Sequence, residues 1–249
     1  MVNLVKNKKM EKKRNMVSVL FMLFSILFCV CLIAANVLET KQIALGPFTL
    51  PGGYTTGAIS LTGGLIVFPV SYIINDCVCE VWGYGKARLL IWIGFAMNFF
   101  FVTLGALCDW IPGAPYWTND AGFHAVFGLA PRIAAASFIA FLCGSFVNAY
   151  VMSRMKISSR GKNFSARAIL STVFGESVDS VIFFPLALSG IVPTNELPVL
   201  MIGQVILKTL YEVIALPLTI RIVRAVKQHE GEDAYDDGIN YNVFKLLSI

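Results

Sequence analysis

Ser171-Thr-Val-Phe-Gly-Glu-Ser-Val-Asp-Ser-Val-Ile-Phe-Phe-Pro185 lies near the middle of a long apolar run. The run reads as a membrane-spanning helix, yet it holds two carboxylic acids, Glu176 and Asp179. Three residues apart, they share one face of a helix. An ionised acid at the bilayer centre costs roughly 2.5 kcal/mol or more by insertion scales. Two acids on one face therefore turn away from lipid, toward protein, water or a ligand. The rest of the chain reads as the housing of that face.

The composition agrees. Of 249 residues, 57% are hydrophobic and only 14% are charged, against about a quarter charged in a soluble domain. A spanning helix needs about 20 apolar residues. Six such runs emerge, at 16–36, 58–81, 89–108, 132–153, 167–190 and 198–224. The expected fold is all-α, a polytopic membrane protein of six transmembrane helices. The division is a basic tail at 1–15, the membrane domain at 16–224 and an acidic tail at 225–249. The first run follows Lys6, Lys8, Lys9, Lys12, Lys13 and Arg14. It is longer than a signal-peptide core and lacks a clear small-x-small cleavage site, so it reads as a retained span.

Orientation follows from the basic residues. With the N-terminus inside, seventeen of the twenty Lys and Arg fall on inner segments, Lys41 and Arg132 fall outside, and Lys208 lies within a span. The positive-inside rule thus puts both termini in the cytoplasm. The outer loop 37–57 carries Gly46-Pro47 and Pro51-Gly52-Gly53, which exclude continuous helix. The loop 109–131 carries Trp110, Tyr116, Trp117, Phe123 and Phe127. These suit an interfacial aromatic belt or a lid over an outward-facing cavity. The acids of the C-terminal tail read most simply as a solvated extension.

Four polar groups are out of place in apolar sequence. Glu176 and Asp179 sit in the fifth span. Asp76 and Glu80, four apart, share a face of the second, with Asp76 about 9 Å on the cytoplasmic side of that span's middle. Gln204, Lys208 and Glu212 form a stripe in the sixth. Asn36, Asn75, Asn98 and Asn148 are scattered amides. Lys208 can neutralise one acid, either Glu212 or an acid of the fifth span. The surplus of acids suits a ligand rich in N–H donors or carrying positive charge. Against that stand structural readings: buried ion pairs can lock helices together, and Asp76 and Glu80 can cap the turn at Gly83 and pair with Lys86 or Arg88. The second and fifth spans each carry an acid pair and a proline, Pro69 and Pro185, which suits a 3+3 inverted repeat.

No metal site is expected. The six cysteines, Cys29, Cys31, Cys77, Cys79, Cys108 and Cys143, read as apolar packing residues, and Cys77-Val-Cys79 has no histidine near it. No cofactor is implied either, since a nucleotide-binding Gly-x-x-x-x-Gly-Lys-Ser/Thr is absent. An intramembrane protease would need Gly-x-Gly-Asp or an intramembrane histidine, and His124 and His229 fall outside the spans. The chain is therefore read as no enzyme.

Several of these motifs carry a family likeness. Val67-Phe-Pro-Val-Ser-Tyr-Ile-Ile-Asn-Asp-Cys-Val-Cys-Glu-Val-Trp-Gly83 resembles the Pro…Asp-x-x-x-Glu-Val-x-Gly signature of the queuosine precursor transporter family, within the vitamin uptake transporters. Similar likenesses are Asn36…Lys41, Ser171-Thr172…Gly175-Glu176-Ser177-Val178-Asp179, Lys208-Thr-Leu-Tyr-Glu212…Leu216-Pro217 and Tyr235-Asp-Asp-Gly-Ile-Asn-Tyr-Asn242…Phe244. The resemblance covers roughly residues 30–245. It implies uptake of 7-deazaguanine bases that feed queuosine in transfer RNA, with the base and the lipid bilayer as partners and no direct contact with nucleic acid. A homo-oligomer is compatible with it. So is the alternative, a substrate-binding membrane subunit served by a separate ATPase module. The substrate-facing set expected is Glu176, Asp179, Asp76, Glu80, Lys208, Glu212, Gln204 and Asn36. One of Glu176 and Asp179 would read the guanine edge, Lys208 or Gln204 the carbonyl oxygen, and Phe174, Phe183 or Phe184 would stack on the ring.

Overall fold

Apolar runs too long to end inside a soluble core become helices, because a backbone in lipid must satisfy its own hydrogen bonds. The computed structural model describes residues 18–39, 41–46, 59–128, 131–189, 194 and 197–245. The basic tail and most of the Gly/Pro-rich outer loop lie outside the described residues. Helix α1 spans Val19–Glu39. Strand β1, Gln42–Leu45, pairs antiparallel with β2, Ile59–Thr62, in the register Gln42↔Thr62 to Leu45↔Ile59. A 3-10 turn, Gly63–Ile66, leads into α2, Phe68–Trp82. Then follow α3, Tyr84–Trp110, the short α4, Asp120–Phe127, α5, Pro131–Ser158, α6, Phe164–Leu188, and α7, Leu197–Glu230.

Among the described residues, five helical stretches are long and apolar enough to cross a membrane: Val19–Leu38, Gly63–Trp82, Tyr84–Trp110, Ala135–Ser158 and Phe164–Ala187. The sixth expected span falls on α7, whose apolar sequence is broken by Lys208 and Glu212. The second run is not helical from residue 58, as its hydropathy led one to expect. Its first part is strand and 3-10 turn, and the α-helix starts only at Phe68. Pro69 fixes that start: it has no N–H to offer an interior turn, and it stands at the first helical positions.

Lipid-facing stripes explain which faces stay apolar and open. Leu23, Ile26, Leu27 and Val30 are exposed on α1, and Ile206, Leu210, Ile214 and Leu218 follow at four-residue intervals on α7. Inside, α2 is the hub, packed against α1, α3, α5 and α7. Twelve of its fifteen residues are buried, so every polar side chain it carries must find company within the protein. Helices α5 and α6 run antiparallel in close contact. Gly144 and Gly175 permit it: a Cβ on Gly175 would lie 2.9 Å from the Gly144 carbonyl oxygen and 3.0 Å from the Tyr72 ring.

Between α2 and α3 the chain turns at Gly83, at φ 85°, in the left-handed region where a side chain is strained. The C-terminal segment covers this turn, so it is not simply a solvated extension. The Tyr84 N–H donates to the Asp236 carboxylate at 3.0 Å, the Ala234 N–H donates to the Val81 carbonyl at 3.0 Å, and the Ser153 hydroxyl donates to Asp236. Buried Arg88 donates to the carbonyls of Asn240 at 2.9 Å and Asn242 at 2.8 Å. Trp92 donates to the Val243 carbonyl at 2.8 Å. Four-residue acid spacing at 232–237 looks like a solvated run in sequence; in the fold it supplies acceptors that the helix ends lack.

Candidate functional site

One face of α2 carries Phe68, Tyr72, Asp76 and Glu80 at intervals of four, which stacks them one above another. Each opens onto a different set of neighbours, so the interior polar residues fall into three tiers.

The first tier lies mid-span. Tyr72, Ser145 and Glu176 each sit near the middle of the apolar stretch that carries them. Lys208 Nζ on α7 donates to Glu176 Oε2 at 2.7 Å and lies 3.7 Å from Asp179 Oδ2. It also sits 4.0 Å from the centroid of the Phe68 ring, within cation–π range. Of the two partners open to Lys208 in the sequence, the acids of α6 are thus engaged. Glu176 is 0% exposed and its second oxygen, Oε1, is buried with no hydrogen-bond partner. The Tyr72 hydroxyl is buried in the same tier and approaches the Ser145 side chain.

The second tier lies one turn along α2. Asn148 Nδ2 on α5 donates to Asp76 Oδ1 at 2.8 Å, and the Ser171 hydroxyl on α6 lies 3.5 Å from Oδ2. Glu212 of α7 comes up to Asp76 and to Thr172. Since the span starts at Gly63, its middle lies near Tyr72, and Asp76 stands only about 5 Å from it, closer than the sequence had placed it.

The third tier closes the end of the molecule that carries most of the helix-terminal Lys and Arg, called here the basic end. Glu80 receives Arg167 at 2.5 and 3.1 Å and Lys227 at 2.6 Å, with Lys156 Nζ 3.8 Å away. Lys156 also donates to the Glu80 backbone carbonyl at 2.5 Å and to Asp233 at 2.6 Å. Asp233 lies outside the spans. Burial works against its charge, but the hydrogen bonds and charges of Lys156 and Lys227 outweigh it and hold its carboxyl below the ordinary 3.8. Glu80 therefore pairs with α5, α6 and α7. Lys86 instead approaches Glu232 at 3.8 Å, and Arg88 binds tail carbonyls. The reading in which Asp76 and Glu80 pair with Lys86 or Arg88 is replaced by this network.

The remaining candidates lie apart. Asn36 of α1 accepts from the Ser137 hydroxyl of α5 at 3.5 Å, two turns of α5 away from Gly144. Gln204 is half-buried, one turn of α7 from Lys208. Phe174 is 53% exposed, so it faces outward and is no ring for a buried ligand. Phe183 and Phe184 meet each other edge to face, 5.4 Å between centroids. The rings at the first tier are Phe68 and Tyr72, 5.6 Å apart. Neither was singled out from the sequence, though their four-residue spacing from Asp76 and Glu80 was the available signal. Among the described residues no group of His, Cys, Asp and Glu is arranged to hold a metal ion.

A buried, partly neutralised acid cluster at the centre of a helical bundle suits the handling of a polar solute. Comparison with known proteins points the same way. Residues 62–222 match the family model described as "Putative vitamin uptake transporter". The "Probable queuosine precursor transporter" of Bacillus subtilis (strain 168) is 25% identical over 175 residues, covering 69% of this chain and 76% of the relative. No solved structure matches. The matched region contains all three tiers of α2, the acids of α6 and the Lys208–Glu212 stripe, and the family likeness read from the motifs is borne out. This chain belongs to the vitamin uptake transporter family.

Proposed function

We propose that this protein imports 7-deazaguanine precursors of queuosine across the cell membrane, both termini inside, and holds the base at the first tier. Family membership and the apolar helices support reading the chain as a multi-pass membrane transporter rather than an enzyme. The printed name of the Bacillus relative supports queuosine precursors as its cargo. The base, its site and the direction of movement are our reading.

The observation that carries it is Glu176. One carboxylate oxygen is held by Lys208 at 2.7 Å, and the other is buried at mid-span without a partner. A buried acceptor of this kind is costly unless a donor arrives. A guanine edge brings adjacent N1–H and N2 amino donors, which one carboxylate accepts side by side. Either Glu176 or Asp179 takes that edge, and Lys208 donates to the ring carbonyl oxygen. The Phe68 and Tyr72 rings offer apolar faces to the base. A precursor with an aminomethyl group adds a cation that the second acid can pair with; one with a nitrile does not.

The test is uptake of labelled deazaguanine bases by cells lacking their own synthesis and import. Wild type should take up label, and a normally expressed Glu176→Gln variant should lose it. Equal uptake by both assigns Glu176 to structure. No uptake by wild type unless nucleotide-binding subunits are supplied favours a membrane subunit with an ATPase partner.

A further inference from the structure

The second tier is left without a task by this reading of the first. Asp76 is 0% exposed and Glu212 is 2% exposed, and they come from helices on opposite sides of the polar column, α2 and α7. Two carboxylates facing each other are both acceptors. Neither can satisfy the other unless one of them carries a hydrogen. Glu212 approaches both Asp76 and the Thr172 hydroxyl, while Asn148 gives its amino group to the Asp76 carboxylate at 2.8 Å, so Glu212 meets Asp76 at a carboxylate already engaged as an acceptor.

The groups facing Asp76 account for the local charge. On its own helix Tyr72 and Glu80 lie one turn to either side, and Cys77 adjoins it. Helix α5 brings Asn148, and α6 brings Ser171 with Glu176 a turn beyond. Helix α7 brings Glu212 with Lys208 a turn beyond. The nearby cations have carboxylate partners of their own: Lys208 has Glu176 and Asp179, while Arg167 and Lys227 have Glu80.

We propose that Asp76 and Glu212 hold one exchangeable proton between them, and that this proton is the coupling ion for uptake. The coupling half rests on the proposed import of a deazaguanine base. The geometry gives a route. Helices α2 and α7 are in contact, and the shared proton lets their two acids lie together. Loss of the proton leaves two like charges in a poorly polarisable interior, which drives the helices apart. The pair stands between the base tier and the Glu80 network, so this separation opens the basic end. The base then follows the proton out by the same side, and the emptied pair is recharged from the opposite side.

Two measurements on purified full-length protein in liposomes test this. Infrared difference spectra in light and heavy water should show a protonated carboxyl band at neutral pH, lost in Asp76→Asn and again in Glu212→Gln. A band unchanged in either variant overturns the shared proton. In transport, an inward proton gradient of about one pH unit should drive wild-type accumulation of a neutral base up to about tenfold for one proton per base, and a protonophore should abolish it. Wild-type uptake that ignores the proton gradient, or follows sodium instead, overturns the coupling role. Because these are wild-type readouts, a variant that fails to fold does not protect the proposal. If wild type moves a deazaguanine base only with nucleotide-binding subunits and ATP, the coupling role fails and the substrate reading stands; if it moves none in either case, both fail, while the infrared band separately decides the proton.

Discussion

Lys208 meets Glu176 at 2.7 Å, Asp179 at 3.7 Å and the Phe68 ring at 4.0 Å. Removing one partner of a buried pair leaves the other charge uncompensated, at a cost of about 3–5 kcal/mol. Lys208→Met should therefore lower the detergent melting temperature sharply, and adding Glu176→Gln should recover part of the loss, a non-additivity that a double-mutant cycle reads directly. Glu80 serves three cations, so Glu80→Gln should destabilise at least as much as Lys208→Met in the same assay. Asp233 gives a pH dependence with a fixed sign. Its carboxyl is held below 3.8 in the docked tail, so it favours docking above that value and loses the contribution as pH falls through its lowered one. Amide exchange at Ala234 should accelerate in that acid range, and Asp233→Asn should make exchange faster at neutral pH and flatten the dependence. Charges such as Glu176 and Lys208 were legible because apolar sequence makes them stand out. Tyr72 and Phe68 were not, since an aromatic in an apolar helix reads as packing until a partner helix brings an ammonium against it.

At the scale of elements, α2 and the α5–α6 pair decide where the polar column stands. The α5–α6 contact depends on two glycines, where a Cβ on Gly144 would lie 2.7 Å from the Tyr72 hydroxyl and 2.8 Å from the Gly175 carbonyl oxygen. Gly175→Leu has no such space. Overpacking of this kind costs about 1–3 kcal/mol or more, and the displaced Tyr72 should reduce uptake as well as melting temperature. Gly83→Ala should act through the tail: the added Cβ falls 2.8 Å from Asp236 and the turn needs a positive φ. Limited proteolysis should then release the C-terminal segment while the helices stay protected. Apolar length alone marked six runs, each of which carries one of the long helices. The start of α2 could not be read from it, because an apolar run does not distinguish strand or 3-10 turn from the first turn of a helix. Pro69 was the local mark of the true start.

Across the whole molecule, the basic end is held shut by two superposed layers. The inner layer is Glu80 with Arg167, Lys156 and Lys227; the outer one is the tail, lying over the ends of α2, α3 and α5. Ending the chain after Glu230 should leave buried Arg88 without its carbonyl partners and Lys156 without Asp233. A lower melting temperature and faster proteolysis at that end should follow, with α1 less affected. The bundle was legible from hydropathy and the distribution of Lys and Arg. The tail's docking was not, because its acceptors are mostly backbone carbonyls and carry no sequence signal. The order of synthesis gives this arrangement a further meaning. Arg88 and Trp92 enter the membrane region about 150 residues before Asn240, Asn242 and Val243 leave the ribosome. Until then a guanidinium near the membrane surface is solvated by water or lipid phosphate. Helix α7 can be inserted and the basic end still be unfinished, with the docking of residues 240–243 a late closing step.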